Sequence, residues 1–218
     1  MDAFARFRRA VLRYGWRFPF VAAHYVVSPL GAVAIGTRIV RLRLLNKCAI
    51  GSGVVIEHGV RITPRSEMNI GSGAFIGRNC TLAIVPSNEA SVTIGENSWI
   101  SVGCLIQASS HLVIGQDVLI GEYVSIRDTQ HQFATRHVPI REQGDTIGKV
   151  TIEDDVWVGR GALILGRPEG VVIGRGAVIA ANSVIHRSVP EYTIWGGAPG
   201  RQIGCRPEAA APDPIDCG

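Results

Sequence analysis

A chain of 218 residues with 46% hydrophobic and 6% aromatic content is long enough for one domain with short appendages. The net charge of +4 is carried almost wholly by arginine, since Lys47 and Lys149 are the only lysines, and the absence of a dense basic cluster with interleaved aromatics speaks against a nucleic-acid partner. Five cysteines, an odd number without metal-ligand spacing, speak against a disulfide scaffold and point to a reducing, cytoplasmic compartment.

In chain order, residues 1 to about 17 interleave Phe4, Phe7, Val11, Leu12 and Trp16 with five arginines, the pattern of a basic amphipathic helix. Between Arg17 and Arg38 no charge occurs, but Pro19, Pro29, Gly31 and Gly36 make a straight membrane span a poor fit. Residues 1–43 are therefore expected to form an extension that caps the open end of the following domain, with membrane-surface contact as the alternative.

From Leu44 a six-residue period takes over. Aliphatics recur at Ile50, Ile56 and Ile62, at Ile70, Ile76 and Leu82, and at Ile94, Ile100 and Ile106. The run continues through Ile114, Ile120 and Ile126, then Ile152, Val158 and Ile164, and ends with Ile173, Ile179 and Ile185. Four places after most of these stands a small or β-branched residue, among them Val54, Ala74, Cys80, Ser98, Cys104, Val118 and Val124. A triangular prism of short parallel strands satisfies the pattern, with the aliphatic pointing inward, the small residue at the crowded corner and glycine permitting the turn. At about eighteen residues per coil, the run from Leu44 to Pro190 predicts about eight coils. Cys48 falls on the small-residue corner if Leu44 sets the register.

The period breaks at Pro86 to Ala90, near Ser109, at Thr129 to Lys149 and after Ile164. The break at 129–149 is the longest and the most polar, holding His131, Arg136, His137, Arg141, Glu142 and Asp145. Loops projecting from a rigid scaffold are where chemistry concentrates. After Gly196 to Ile203 (GGAPGRQI), residues 204–218 are proline- and alanine-rich and read as a flexible tail.

These repeats resemble the hexapeptide-repeat acyltransferases, closest to the sugar and polysaccharide O-acetyltransferases. The resemblance covers about Leu44 to Ile203. It implies an all-β, left-handed parallel β-helix and a homotrimer with active sites at subunit interfaces. It further implies transfer of an acetyl group from acetyl-CoA to a sugar hydroxyl in surface polysaccharide or a glycan precursor, without a metal. In such relatives the catalytic histidine follows the repeat run at the place His131 holds after Ile114, and RDTQH resembles their acidic residue, spacer, Asn and His. Imidazole suits the base because it titrates near neutrality, and acyl-CoA is already activated, so no covalent nucleophile is required. Asp128 is expected to orient the imidazole or contact the sugar, a solvated turn carboxylate being the alternative. Ser101 stands where galactoside-type relatives carry an Asn that helps hold the acceptor or the oxyanion, a backbone N–H being the alternative donor.

For the coenzyme, EDDVWVGRGALI resembles the family's Asp-x-x-Trp-Ile-Gly segment and assigns Trp157, Gly159 and Arg160 to the groove, with a plain seam-filling role as the alternative for Trp157. IAANSVIHRSVP assigns Ala180 and Ala181 to the pantetheine arm and puts His186 and Arg187 where Thr and Lys are usual. GGAPGR puts Arg201 against coenzyme phosphate. Three competing functions remain open: a sugar N-acetyltransferase on the same fold, a γ-carbonic-anhydrase-like zinc enzyme using His111, His131 and His137, and a catalytically silent trimeric scaffold.

Overall fold

The computed structural model describes residues 47–63, 67–85 and 90–207. The expected extension at 1–43 and the last eleven residues of the expected tail, 208–218, lie outside them.

Each rung of the prism is three short strands. The first rung is β1 (Lys47–Ile50), β2 (Val55–Ile56) and β3 (Arg61–Ile62); the second is β4 (Glu67–Ile70), β5 (Phe75–Ile76) and β6 (Thr81–Ile84). The third is β7 (Ser91–Ile94), β8 (Trp99–Ile100) and β9 (Leu105–Ala108); the fourth is β10 (His111–Ile114), β11 (Leu119–Ile120) and β12 (Ser125–Arg127). An arm with β13 (Thr129–His131) and β14 (Asp145–Ile147) then interrupts the winding. Two rungs follow: β15 (Val150–Ile152), β16 (Trp157–Val158) and β17 (Leu163–Leu165), then β18 (Val171–Ile173), β19 (Val178–Ile179) and β20 (Val184–Ile185). A final hairpin of β21 (Thr193–Gly196) and β22 (Arg201–Cys205) closes the described chain.

Face one is the parallel stack β1-β4-β7-β10-β15-β18, and face three is β3-β6-β9-β12-β17-β20. Face two stacks β2-β5-β8-β11-β16-β19-β21, with β22 added antiparallel at its end. Among the described residues there are thus six complete coils, where the spacing predicts about eight. The reason is that real rungs are longer than the ideal repeat: Ile50 pairs with Ile70, Ile70 with Ile94, and Ile114 with Ile152 across the arm. Residues spent on corners and on the arm add no rung.

The interior follows the periodicity closely. Ile56, Ile76, Ile100, Ile120, Val158 and Ile179 stack in one column of face two, each 0–2% exposed. Burial of each such side chain is worth about 1.5–3 kcal/mol. The corner residues Val54, Ala74, Ser98, Val118, Val156 and Ala177 are buried as expected, and so are Cys80 and Cys104. Cys48 is not a corner residue: it pairs with Met68 within β1 and β4, packs against the core, and its thiol is raised to about 11 by burial.

Corners stack as tightly as rungs. At Gly95 a Cβ would collide with the carbonyl group of Gly115 in the next coil, so only glycine lets the two backbones approach. The left-handed corner position is taken by Asn79, Asn97, Asp117, Asp155 and Asn182, residue types that tolerate positive φ. Tyr123 (φ 57°) and Tyr192 (φ 55°) hold it as well.

Candidate active site

The arm is fixed at its neck by a buried carboxylate. Asp128 takes the inward position that Ala108 holds one rung earlier, and it is 0% exposed. A charge there must be fully bonded. Its oxygens accept from the Ser109 N–H (2.7 and 2.9 Å), the Ser110 N–H (2.7 Å) and the Thr129 hydroxyl (2.9 Å). The Asp128 carbonyl also accepts from the Gly148 N–H at 2.6 Å, and the Ser110 hydroxyl donates to the Gly148 carbonyl at 2.7 Å. The chain therefore leaves and re-enters the prism through one clamp. This corrects the reading of Asp128: it is neither the partner of the imidazole nor a solvated turn carboxylate, but the anchor of the arm.

Beyond the clamp, β13 and β14 pair antiparallel and set His131 directly opposite Asp145. His131 Nδ1 lies 2.6 Å from Asp145 Oδ1. A carboxylate only accepts, so this bond assigns the proton to Nδ1 and leaves the Nε2 lone pair free to take one. The pair is open to solvent, with side-chain exposures of 76% and 47%. Gln143 ties the outer part of the arm by accepting from the Thr135 N–H and donating to the Thr135 and Val138 carbonyls. Phe133, Val138, Ile140 and Ile147 stand exposed on the arm. His137 is exposed too, and His111 sits on face one bonded to Ser91 Oγ at 2.7 Å. No group of three His, Cys, Asp or Glu among the described residues is arranged to hold a metal.

The other expected site residues divide between two corners. Ser101, Gly121, Gly159 and Ala180 stack in register at the corner joining faces two and three, with the Ser101 N–H donating to Ile120, Gly121 to Val158 and Gly159 to Ile179. Arg160 and Ala181 follow in the same turns and are exposed. Trp157, 55% exposed, belongs to face two, where it continues an outward column of Val55, Phe75, Trp99, Leu119, Val178 and Ile194. Phe75 and Trp99 stack in this column with ring centroids 3.9 Å apart.

His186 and Arg187 lie across face three, at the corner from which the arm departs lower down the prism. Arg167 joins them, its Nε donating to the His186 carbonyl at 3.2 Å. The His186 imidazole is held below its ordinary pKa, first by partial burial and then by the charges of Arg167, Arg187 and Arg201. Four cationic or titratable side chains thus converge near the C-terminal end, a setting suited to phosphate. The GGAPGR stretch that carries Arg201 turns into β22, so ordered strand runs to Cys205, two residues into the expected tail.

Within one chain, then, the imidazole and the column of Ser101, Gly159 and Ala180 occupy opposite ends of face three. Neither Asp145 nor Arg167 is singled out as a site residue by the sequence, although both sit in the breaks of the period where function is expected. No helix among the described residues is long and apolar enough to cross a membrane.

Residues 68–108 and 149–187 match a family model described as "Hexapeptide repeat of succinyl-transferase". The chain is 30% identical over 170 residues to "Probable acetyltransferase Rv3034c" of Mycobacterium tuberculosis, an alignment covering 76% of this chain and 55% of that protein. It is 28% identical over 158 residues to the "Putative lipopolysaccharide biosynthesis O-acetyl transferase WbbJ" of Escherichia coli, covering 58% and 79%. Against several curated relatives, the Mycobacterium protein among them, the chain spans only about half of their length. Among solved structures, the fold is similar to that of a point mutant of AntD, an N-acyltransferase from Bacillus cereus, in complex with dTDP and coenzyme A. That match has a TM-score of 0.64 at 23% identity, over 76% of this chain and 87% of that one. The chain thus folds as a parallel β-helix, two stretches of it match a hexapeptide-repeat model, and the relatives in sequence reported above are named acetyltransferases.

Proposed function

We propose that the protein is an acetyl-CoA-dependent acyltransferase that acetylates a sugar hydroxyl in surface polysaccharide or a glycan precursor. The observation that carries this reading is the His131–Asp145 pair, clamped by Asp128 onto the side of a hexapeptide-repeat prism. Names of relatives support the acetyl group, and the Escherichia coli relative supports a glycan acceptor.

In the proposed reaction His131 Nε2 removes the proton of the acceptor hydroxyl as its oxygen attacks the thioester carbon. Asp145 holds Nδ1–H and stabilises the imidazolium that forms. The tetrahedral oxyanion receives a hydrogen bond from the Ser101 hydroxyl or a backbone N–H of the same corner. Collapse breaks the carbon–sulfur bond, and the coenzyme thiolate takes the proton back from the imidazolium. One acetyl ester and one free thiol result.

A site built this way needs a second subunit. His131 and the corner of Ser101, Gly159, Arg160, Ala180 and Ala181 stand at opposite ends of face three of one chain. The arm's exposed apolar residues and the apolar column through Trp157 supply surfaces for a neighbour. We therefore read the enzyme as a homotrimer whose arm reaches a neighbour's coenzyme groove, working in the cytoplasm. In this reading His186, Arg187 and Arg201 receive coenzyme phosphate, and residues 1–43 cap the prism or touch the inner membrane face.

The test is mass spectrometry of a panel of sugar nucleotides and glycans incubated with acetyl-CoA. His131→Ala should lower turnover by roughly a hundred- to ten-thousand-fold with an unchanged melting temperature. Near-normal turnover would remove His131 from the mechanism. Acetyl found only on an amine would revise the acceptor and keep the base.

A further inference from the structure

The left-handed corner position is filled by glycine, Asn or Asp at most described corners, and by tyrosine at two. A tyrosine at φ 57° carries backbone strain that Asn at the same position mostly avoids. At both tyrosine corners one edge of the ring packs against a glycine of the preceding coil, Tyr123 against Gly103 and Tyr192 against Gly176. In each case a Cβ on the glycine would sit 2.6 Å from ring carbons. An arginine stands near each ring.

The two corners then part ways. Arg206, beside Tyr192, is neutralised: its Nη1 bonds Asp155 Oδ2 at 2.7 Å and the Gly176 carbonyl at 3.4 Å. That corner is closed. Arg160 lies over the Tyr123 ring, 5.7 Å from its centroid, and among the described residues no carboxylate pairs with it, Glu122 included. Tyr123 is 58% exposed and Arg160 is exposed. A flat ring beside an uncompensated guanidinium is a surface that stacks a planar base and pairs with a phosphate.

We propose that Tyr123 and Arg160 form a nucleoside-phosphate platform at the corner between faces two and three. The shared ligand chemistry is a base joined to phosphate, supplied either by the adenylate end of coenzyme A or by a nucleotide carrying the acceptor sugar. The proposal draws on the acyl-transfer reading only in the choice of these two sources.

The experiment is calorimetric titration of the full chain with four probes: coenzyme A, 4′-phosphopantetheine, UDP and inorganic pyrophosphate. Tyr123→Asn, the residue other corners carry, should weaken a base-bearing probe on the order of tenfold and leave its base-less counterpart unchanged. Tyr123→Phe should bind as the unaltered protein does, and Arg160→Gln should weaken the same probe as Tyr123→Asn. A loss confined to coenzyme A assigns the platform to the donor, and a loss confined to UDP assigns it to the acceptor. The proposal is overturned if Tyr123→Asn binds every probe normally, if base-less probes weaken equally, or if the unaltered protein binds neither coenzyme A nor UDP. Should Tyr123→Asn fail to fold, normal binding of both nucleotides by Arg160→Gln overturns it alone. Failure of the acyl-transfer reading shows separately, as no acetylated product from the unaltered protein.

Discussion

The prism and the arm are made of the same chain by opposite rules. In the prism each side chain is defined by its rung: Ile114 pairs with Ile94 and Ile152 whatever lies beyond, and the interior is mostly aliphatic. In the arm almost every contact is polar, from Asp128 at the neck through His131 and Asp145 to Gln143, and no residue from 131 to 142 is buried. Packing is thus concentrated in the prism interior, and the base proposed for the reaction stands on the arm, where little packing exists. Such a division lets the site be altered at small cost in folding, and the core at small cost in chemistry.

The division breaks most visibly if a core substitution acts like an arm substitution. Ile120→Ala, which removes a fully enclosed side chain from the central column of face two, should cost about 2–5 kcal/mol in denaturant unfolding and leave specific activity of the folded protein near normal. A large loss of activity at temperatures well below the transition would mean that the prism is not a passive support.

Asp128 belongs to both regions, so it sharpens the contrast. Asp128→Ala leaves the N–H groups of Ser109 and Ser110 without their acceptor, which costs about 2–4 kcal/mol of stability. It should also lower activity by freeing the neck, so that thermal melting and turnover fall together. A variant that melts normally would show the clamp to be dispensable.

Asp145 acts only within the arm. Asp145→Asn should lower kcat on the order of ten- to a hundredfold, about 1.4–2.7 kcal/mol, with KM and melting temperature unchanged. Partial recovery in Asp145→Glu marks a carboxylate that positions the imidazole, and equal loss in both variants would argue against that role.

The smallest effect concerns His186. Its pKa is depressed, so over the window below the ordinary histidine value the unfolded chain binds a proton that the native protein does not. This group therefore subtracts stability as pH falls through that window and contributes nothing above it. A phosphate placed among Arg167, Arg187 and Arg201 should raise the His186 pKa, and binding should take up protons below neutrality. Two-dimensional NMR titration of His186 with and without coenzyme A measures this directly. An unchanged value would move the phosphate elsewhere.

The same division governs what is legible in the sequence. The inward aliphatics at the six-residue interval, such as Ile56 and Ile185, are readable because a rung contact depends on a fixed sequence interval, whereas the second inward column of face one, Met68, Val92, Leu112, Val150 and Val171, falls outside that interval. His131 is picked out by the resemblance, which places a histidine after the repeat run, and by the break in the period that carries it. Asp145 is not, because its partner is chosen by where the arm folds back, and no interval encodes that. Asp128 looks like a companion of His131 in the linear sequence, yet the strand's alternation turns it inward while His131 stands outside. The coil number comes out too high because the spacing counts residues, whereas a prism counts closed triangles.

The neck matters beyond this reaction. Because Gly148 bonds back to Asp128 and Ile152 resumes directly above Ile114, the twenty residues between 128 and 149 are an inclusion that leaves the winding in phase. A different excursion fitted between the same two ends would inherit a finished scaffold, as a tool-holder takes a new bit without renegotiating the shaft.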